Sequence, residues 1–158
     1  MTTGTMVNTV LAFLAQEGWT VEVSTSGIVR TRYEGKNADF DCYVQPFEDD
    51  DQLIVMSVLG SAEPERRRDM AELASRINLL LRIGGFEVDF DDGELRHRAG
   101  IPVPEAGLDE GMIAAVVYAS VLPADQYASA FVSVASGRAD PVAALEVLRD
   151  DVNDANDS

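Results

Sequence analysis

The chain has 158 residues, 46% of them hydrophobic, which predicts one globular domain with a substantial core. Its net charge of −16, from 28 acidic and 12 basic residues, disfavours binding to nucleic acid or to an anionic membrane surface. No apolar run reaches the roughly 18–20 residues of a membrane span, and the N-terminal stretch lacks the features of a signal peptide. We therefore expect a cytoplasmic protein.

The acidic excess itself has three interpretations that composition leaves open. It can serve solubility alone, because like charges keep molecules apart. It can be an adaptation to a salty cytoplasm, where counterions screen the self-repulsion. It can also attract a specific basic partner. Eleven of the twelve basic residues are arginines, and Lys36 is the single lysine.

Alternating and helical spacings of apolar residues divide the chain into elements. In chain order the prediction is helix Thr5–Glu17, strands Trp19–Ser24, Ile28–Tyr33, Asp39–Phe47 and Leu53–Leu59, helix Pro64–Ile83, strands Phe86–Phe90 and Leu95–Ala99, and helices Asp109–Leu122, Ala124–Ser136 and Pro141–Arg149. The fold class is therefore α+β, with a helix, an antiparallel meander, a long helix, a hairpin that extends the sheet, and C-terminal helices. Residues 1–149 form the expected domain, and 150–158 an acidic disordered tail.

The helix Pro64–Ile83 carries apolar residues at three- and four-residue steps on one stripe. Gly84 and Gly85 supply the positive-φ cap that ends it. At ~1.5 Å per residue it spans roughly 30 Å. We expect this helix to cross one whole face of the sheet.

The hairpin that follows has a predicted register. Asp92-Gly93 favours a two-residue type I′ turn. The strands then place apolar residues on one face and opposite charges on the other. The apolar pairs are Phe90 with Leu95, Val88 with His97 and Phe86 with Ala99, and the charged pairs are Asp89 with Arg96 and Glu87 with Arg98.

The helix Asp109–Leu122 is apolar around most of its circumference, and Pro123 is expected to end it. One side of one sheet covers only about half of a helix, so the remaining apolar residues must meet either the following helices or another subunit. A homodimer is one outcome, with a self-complementary contact. The candidate interface residues are Met112, Ile113, Val116 and Val117, together with the basic cluster Arg66, Arg67 and Arg68.

Three further features have a structural and a chemical interpretation. Cys42 is either a small buried hydrophobe or a nucleophile paired with His97, the only histidine. His97 is either partly buried with one hydrogen bond or a pH sensor. The acidic loop Glu48–Asp51 is either a solvated turn or an oxygen site for a divalent cation. No catalytic triad or phosphate loop is legible, and we predict no catalytic, cofactor-binding or metal-binding residue.

The run from Ile77 to Val103, followed by MIAAVVYASVLPADQY and DPVAALEVL, resembles the YbjN-domain family and especially its cyanobacterial-type branch. The shared features are an Asn on the long helix, a Leu-Arg-x-Gly-x-Phe-Glu-x-Asp turn, an Asp-Gly-Glu-hydrophobic-Arg hairpin and a Val-Tyr-Ala helix. His97 departs from the pattern, since an aromatic such as Tyr is typical there, and so does Ala99-Gly100. The resemblance implies a fold like that of type III secretion chaperones and a label as a sensory transduction regulator. It implies no catalytic residues.

Two functions follow as hypotheses. The first is a non-enzymatic protein-binding or regulatory module with chaperone-like architecture and an unidentified protein partner. The second is a small-ligand-binding or enzymatic domain, in which acidic and arginine residues of the hairpin or of the acidic loop line a pocket. A shallow apolar surface favours the first, and a deep pocket with convergent polar groups favours the second.

Overall fold

A computed structural model describes residues 4–157, in which one six-stranded antiparallel sheet carries four α-helices on one of its faces. The elements are α1 Thr5–Gln16, β1 Val21–Val23, β2 Val29–Glu34, β3 Asp39–Phe47, β4 Gln52–Ser61, α2 Arg67–Asn78, β5 Gly85–Val88, β6 Glu94–Pro102, α3 Glu110–Ala135 and α4 Pro141–Asn156. Single 3₁₀ turns precede β4 and α2. The predicted α+β class and the order of elements are confirmed.

The strands lie in the order β1-β2-β3-β4-β6-β5. The predicted meander, β1 to β4, and the predicted hairpin, β5–β6, are both present, and the hairpin joins the sheet through β6 beside β4. Strand β4, whose sequence is apolar on both faces, lies in the middle of the sheet. None of the helices in residues 4–157 is long and apolar enough to cross a bilayer.

Two clusters of apolar side chains lie between the sheet and the helices. Under α1 and the first half of α3, buried residues such as Leu14, Val55 and Val117 form one cluster. Under α2 and the second half of α3, residues such as Ile77 and Phe131 form the other. Helices α1, α2 and α3 thus cover the same face of the sheet, and α4 packs on α2 and α3.

The predicted break at Pro123 is wrong, because α3 runs without interruption through it. A proline inside a helix removes one backbone hydrogen bond and costs about 3 kcal/mol. Its neighbours Val121 and Ala124 are completely buried, so packing on both sides of the proline favours the continuous helix. At 26 residues, α3 is the helix that crosses the sheet, in contact with β3, β4 and β6.

The helix α2 is shorter than predicted and does not cross the sheet. It ends at Asn78, and residues 79–83 form an irregular connection with Leu79 and Ile83 exposed. The side chain of Asn78 explains the early end, because it accepts from the N–H of Phe86 (2.7 Å) and donates to the carbonyl of Phe86 (3.0 Å). The amide therefore pairs with the free edge of β5 as another strand would.

The register of the hairpin differs from the prediction by two residues. The observed pairs are Val88 with Leu95, Glu87 with Arg96, Phe86 with His97 and Gly85 with Arg98. A shift of two residues keeps each side chain on its face, so Phe86 and Leu95 are still buried. Phe90 is not in the strand and is 55% exposed.

Tertiary contacts explain the longer loop. Arg67 of α2 donates to the backbone carbonyls of Phe90 (2.9 Å) and Asp91 (3.3 Å), and Ser61 of β4 donates to that of Asp92 (2.6 Å). A two-residue turn at Asp92-Gly93 would leave the carbonyls of Phe90 and Asp91 in strand positions. The loop geometry is thus selected by α2 and β4, which the local turn preference cannot include.

The last helix begins as predicted, with Asp140 accepting from the N–H of Ala143 at its start. It continues to Asn156, well past the predicted end at Arg149 and through most of the expected tail. Residues 1–3 and Ser158, which the predicted domain and tail include, lie outside the described residues.

Candidate functional site: the open face of the sheet

Cys42 and His97, for which the sequence left a structural and a chemical interpretation, lie in one row beneath α3. Cys42 pairs with Ser57 and Ser57 with His97 across β3, β4 and β6. The hydroxyl of Ser120 on α3 lies 2.8 Å from that of Ser57 and 3.2 Å from Nδ1 of His97. All four side chains are completely buried, so the row connects the sheet to the helix inside the core.

Burial keeps both reactive groups neutral. It raises the pKa of the Cys42 thiol to about 12 and lowers the pKa of His97 to about 4. A nucleophilic cysteine needs a thiolate and access to substrate. This geometry favours the structural interpretation of both residues.

The pH dependence of stability should report on His97. A base whose pKa is lowered by folding binds its proton more tightly in the unfolded chain. Stability should be full above the ordinary pKa of about 6.5 and decline toward pH 4, with about 2 kcal/mol lost between pH 7 and pH 5. The measurement is urea unfolding across that range, compared with His97→Tyr, in which all carboxylates stay the same. Parallel curves for the two proteins would contradict the expectation.

The candidates predicted in the acidic loop and the basic cluster make structural contacts. Glu48 of the acidic loop accepts from the N–H of Met6 (2.8 Å) and so caps the start of α1. Arg67 anchors the hairpin loop, and the guanidinium of Arg66 lies against Gly137. Arg68 is exposed.

The candidate interface residues on α3 lie mostly in the core. Ile113, Val116 and Val117 are at most 1% exposed and pack in the cluster under α1. Met112 is half-buried at the start of the helix. The excess apolar surface of this helix is therefore covered within the chain by α1 and the sheet. A subunit contact at these three side chains would require the fold to open.

A different surface has no helix over it. Among residues 4–157 no helix packs on the second face of the sheet, which we call the open face. Its centre is apolar and half-buried, and arginines lie on both sides of it. It consists of Glu22, Arg30, Arg32, Asp41, Tyr43, Ile54, Met56, Val58, Glu87, Glu94, Arg96 and Arg98.

Strand register builds this arrangement row by row. One row reads Arg30, Tyr43, Met56 and Arg98 across β2, β3, β4 and β6. In the next row, Asp41 and Glu87 lie beside arginines on either side of Val58. Ile54 extends the apolar centre, and its side chain lies over Gly100, where a Cβ would collide with it. A larger residue at position 100 would require the end of the Ile54 side chain to move.

The charges of the open face neutralise one another. Six of the seven ion pairs in the described part of the chain are here, made by four arginines and four acids. Glu87 accepts from both Arg96 and Arg98 at 2.6 Å. Burial raises the pKa of Glu87, but these hydrogen bonds and charges outweigh burial and lower it. A chain of net charge −16 thus has one broad face whose paired charges sum to zero.

Sequence reasoning predicted the Glu87–Arg98 pair but not the open face, which depends on which face the helices cover. It also missed Asp125, a buried carboxylate on α3 that accepts from the backbone N–H groups of Lys36, Asn37 and Ala38. The available signal was a lone acid in an otherwise apolar helical stretch. A buried charge of this kind is rare unless it is paired or hydrogen-bonded.

Comparison with known proteins supports the resemblance that the sequence suggested. Residues 7–133 match the YbjN family, described as "Putative bacterial sensory transduction regulator". The crystal structure of E. coli YbjN, titled a putative transcription regulator, is similar in fold, with a TM-score of 0.54 and 14% identity over 72% of this chain and 82% of that one. No curated protein sequence matches. The cyanobacterial-type branch stays a prediction.

The Yersinia pestis type III secretion chaperone SycH, solved in complex with a stable fragment of YscM2, is also similar. Its TM-score is 0.45, with 14% identity over 71% of this chain and 90% of that chain.

Proposed function

The chain belongs to the YbjN family, and from this premise we propose that it is a non-enzymatic regulatory module that acts by binding proteins. We further propose that the open face is its contact surface and that a second copy of the chain occupies it. The observation that carries the proposal is the uncovered apolar centre of Tyr43, Ile54, Met56 and Val58 within a frame of paired charges.

The composition of the open face supports protein contact. Tyrosine, methionine and arginine are enriched in protein interfaces, and the centre of an interface is more apolar than its rim. The open face has both properties. It is also held rigid, because each of its residues lies in a strand hydrogen-bonded within the sheet. A rigid surface loses little conformational entropy when it binds.

The alternative function, an enzyme or ligand site built from the hairpin or the acidic loop, has less support. The arginines and acids of the hairpin are paired with one another on the open face. Glu48 caps a helix. Cys42 and His97 are buried and neutral.

Charge supports a second copy as the occupant. Two chains of net charge −16 repel, and most surface pairings bring acidic groups together. The open face is different, since each of its flanks carries two arginines and two acids. A two-fold pairing can therefore set arginines of one copy against acids of the other while the apolar centres meet.

The test is the molar mass in molar KCl, measured by sedimentation equilibrium from 1 to 100 µM. We expect the wild type to form a dimer and Met56→Arg to weaken it by roughly 100-fold or more, because two unpaired charges would be buried at the contact. The matched control is Leu122→Arg, which adds the same charge at an exposed leucine on α3 and should leave the dimer intact.

Two results would overturn the proposal. One is a monomeric wild type across the whole concentration range. The other is a dimer that survives Met56→Arg; if Leu122→Arg abolishes that dimer, the contact lies on the helical layer. Circular dichroism of each variant separates loss of pairing from loss of fold.

A further inference from the structure

A cavity of about 580 Å³ lies on the helical side of the molecule, away from the open face. It is bounded by α3, by the second half of α4, by the turn between β2 and β3, and by Leu80. Cavities that bind small molecules have volumes of about 300–1,000 Å³. The space is thus suited to a small ligand.

The lining is apolar along one side. Leu145 is buried, and Leu80 and Val152 are each about half exposed, 49% in both cases. The ring of Tyr127 contributes further apolar surface from α3. Exposed apolar side chains that meet around one cavity gain free energy when an apolar group fills it.

Two cations line the same cavity. Lys36 comes from the β2–β3 turn and Arg149 from α4, and within residues 4–157 neither forms an ion pair. Neither cation would have to leave an acidic partner in order to bind an anion. The residues that line the cavity thus include two cations and one acid, Asp151.

The β2–β3 turn, which carries Lys36, is fixed to α3 by hydrogen bonds to Asp125. Asp125 accepts from the N–H of Lys36 (3.2 Å), Asn37 (2.7 Å) and Ala38 (2.9 Å). The amide of Asn37 donates to the same carboxylate (3.3 Å). These bonds fix the turn to α3, which forms the floor of the cavity. A fixed turn reduces the entropy cost of ordering the lysine around a ligand.

We propose that this cavity binds a small amphipathic anion, with its apolar chain or ring against Leu80, Leu145 and Val152 and its charged group between Lys36 and Arg149. The ligand class is an organic carboxylate, sulfonate or phosphate with an apolar body. This site is separate from the open face and goes beyond the proposed protein-binding function.

The test compares two probes of equal chain length, decanoate and decyltrimethylammonium, by calorimetric titration below their micellar concentrations at 0.1 M salt. A chain of net charge −16 attracts cations to any nonspecific apolar patch. Preference for the anion therefore identifies the basic cavity. We expect saturable binding of one decanoate per chain and weaker binding of the cation.

Variants locate the site. Lys36→Gln and Arg149→Gln should each weaken decanoate binding about fivefold to tenfold, because each removes one charged partner of the anion. Arg68→Gln makes the same charge change at an exposed position outside the cavity and should have no effect. Ser129→Trp, at the cavity wall, should block binding.

The decanoate titrations are run both in the wild type and in Met56→Arg, the variant designed to prevent dimer formation. Ligand binding to the cavity is then measured whether or not the chain forms a dimer through the open face. Tighter binding of decyltrimethylammonium than of decanoate would overturn the proposal. So would the absence of decanoate binding, or equal losses in Lys36→Gln and Arg68→Gln.

Discussion

Replacing Asp125 with alanine should lower the free energy of unfolding by about 3–5 kcal/mol. The carboxylate accepts from three consecutive backbone N–H groups of the β2–β3 turn and from the amide of Asn37. Asp125 is 8% exposed, so water reaches these donors poorly once the carboxylate is gone. The loss combines missing hydrogen bonds with unsatisfied donors, which is why it exceeds that of an ordinary surface substitution.

The measurement is urea unfolding at neutral pH, followed by circular dichroism. Asp125→Asn is the informative second variant, since it keeps the size and one carbonyl acceptor but adds two N–H donors and removes the charge. We expect its stability to fall between those of wild type and Asp125→Ala. Glu146→Ala, an exposed acid on α4, is the control and should change stability by less than about 0.5 kcal/mol. A loss below about 1 kcal/mol for Asp125→Ala would contradict the role assigned to the carboxylate.

Stability should also rise steeply with salt. The net charge of −16 produces self-repulsion in the folded state, and the screening length falls from about 30 Å at 0.01 M salt to about 3 Å at 1 M. If screening removes about 3 kcal/mol of repulsion, the melting temperature climbs by on the order of 10 °C between these limits. Differential scanning calorimetry at increasing KCl concentrations measures this change in melting temperature. The ion pairs of the open face weaken with salt, but exposed pairs contribute little each.

A variant with fewer negative charges tests whether repulsion between acidic groups causes the salt dependence of the melting temperature. Asp49 and Asp50 are exposed neighbours in the acidic loop, so Asp49→Asn/Asp50→Asn removes two negative charges and a local repulsion. Its melting temperature should be higher than that of wild type in low salt and should rise less with KCl. A flat or falling curve for the wild type would leave solubility as the explanation of the acidic surface.

Local sequence patterns determined which elements form and in which order. Strand β3 begins and ends where alternation predicted, at Asp39 and Phe47, because alternation is a property of the strand itself. The faces of the hairpin were also predictable, since Phe86 and Leu95 differ in polarity from Glu87 and Arg96. The absence of a legible catalytic motif was likewise a property of the residues present.

The tertiary structure decided where elements stop and what each surface is available for. Arg67 selects the five-residue hairpin loop, Asn78 ends α2 by capping β5, and burial on both sides carries α3 through Pro123. None of these contacts is between residues close in sequence, except that of Asn78. The same reason applies to function. A sequence shows that α3 is apolar all round and that arginines alternate along β2 and β6, but only the packing shows that α3 is buried within the chain. All the helices lie on one face of the sheet, and the arginines and Met56 therefore lie together on the face that no helix covers in residues 4–157.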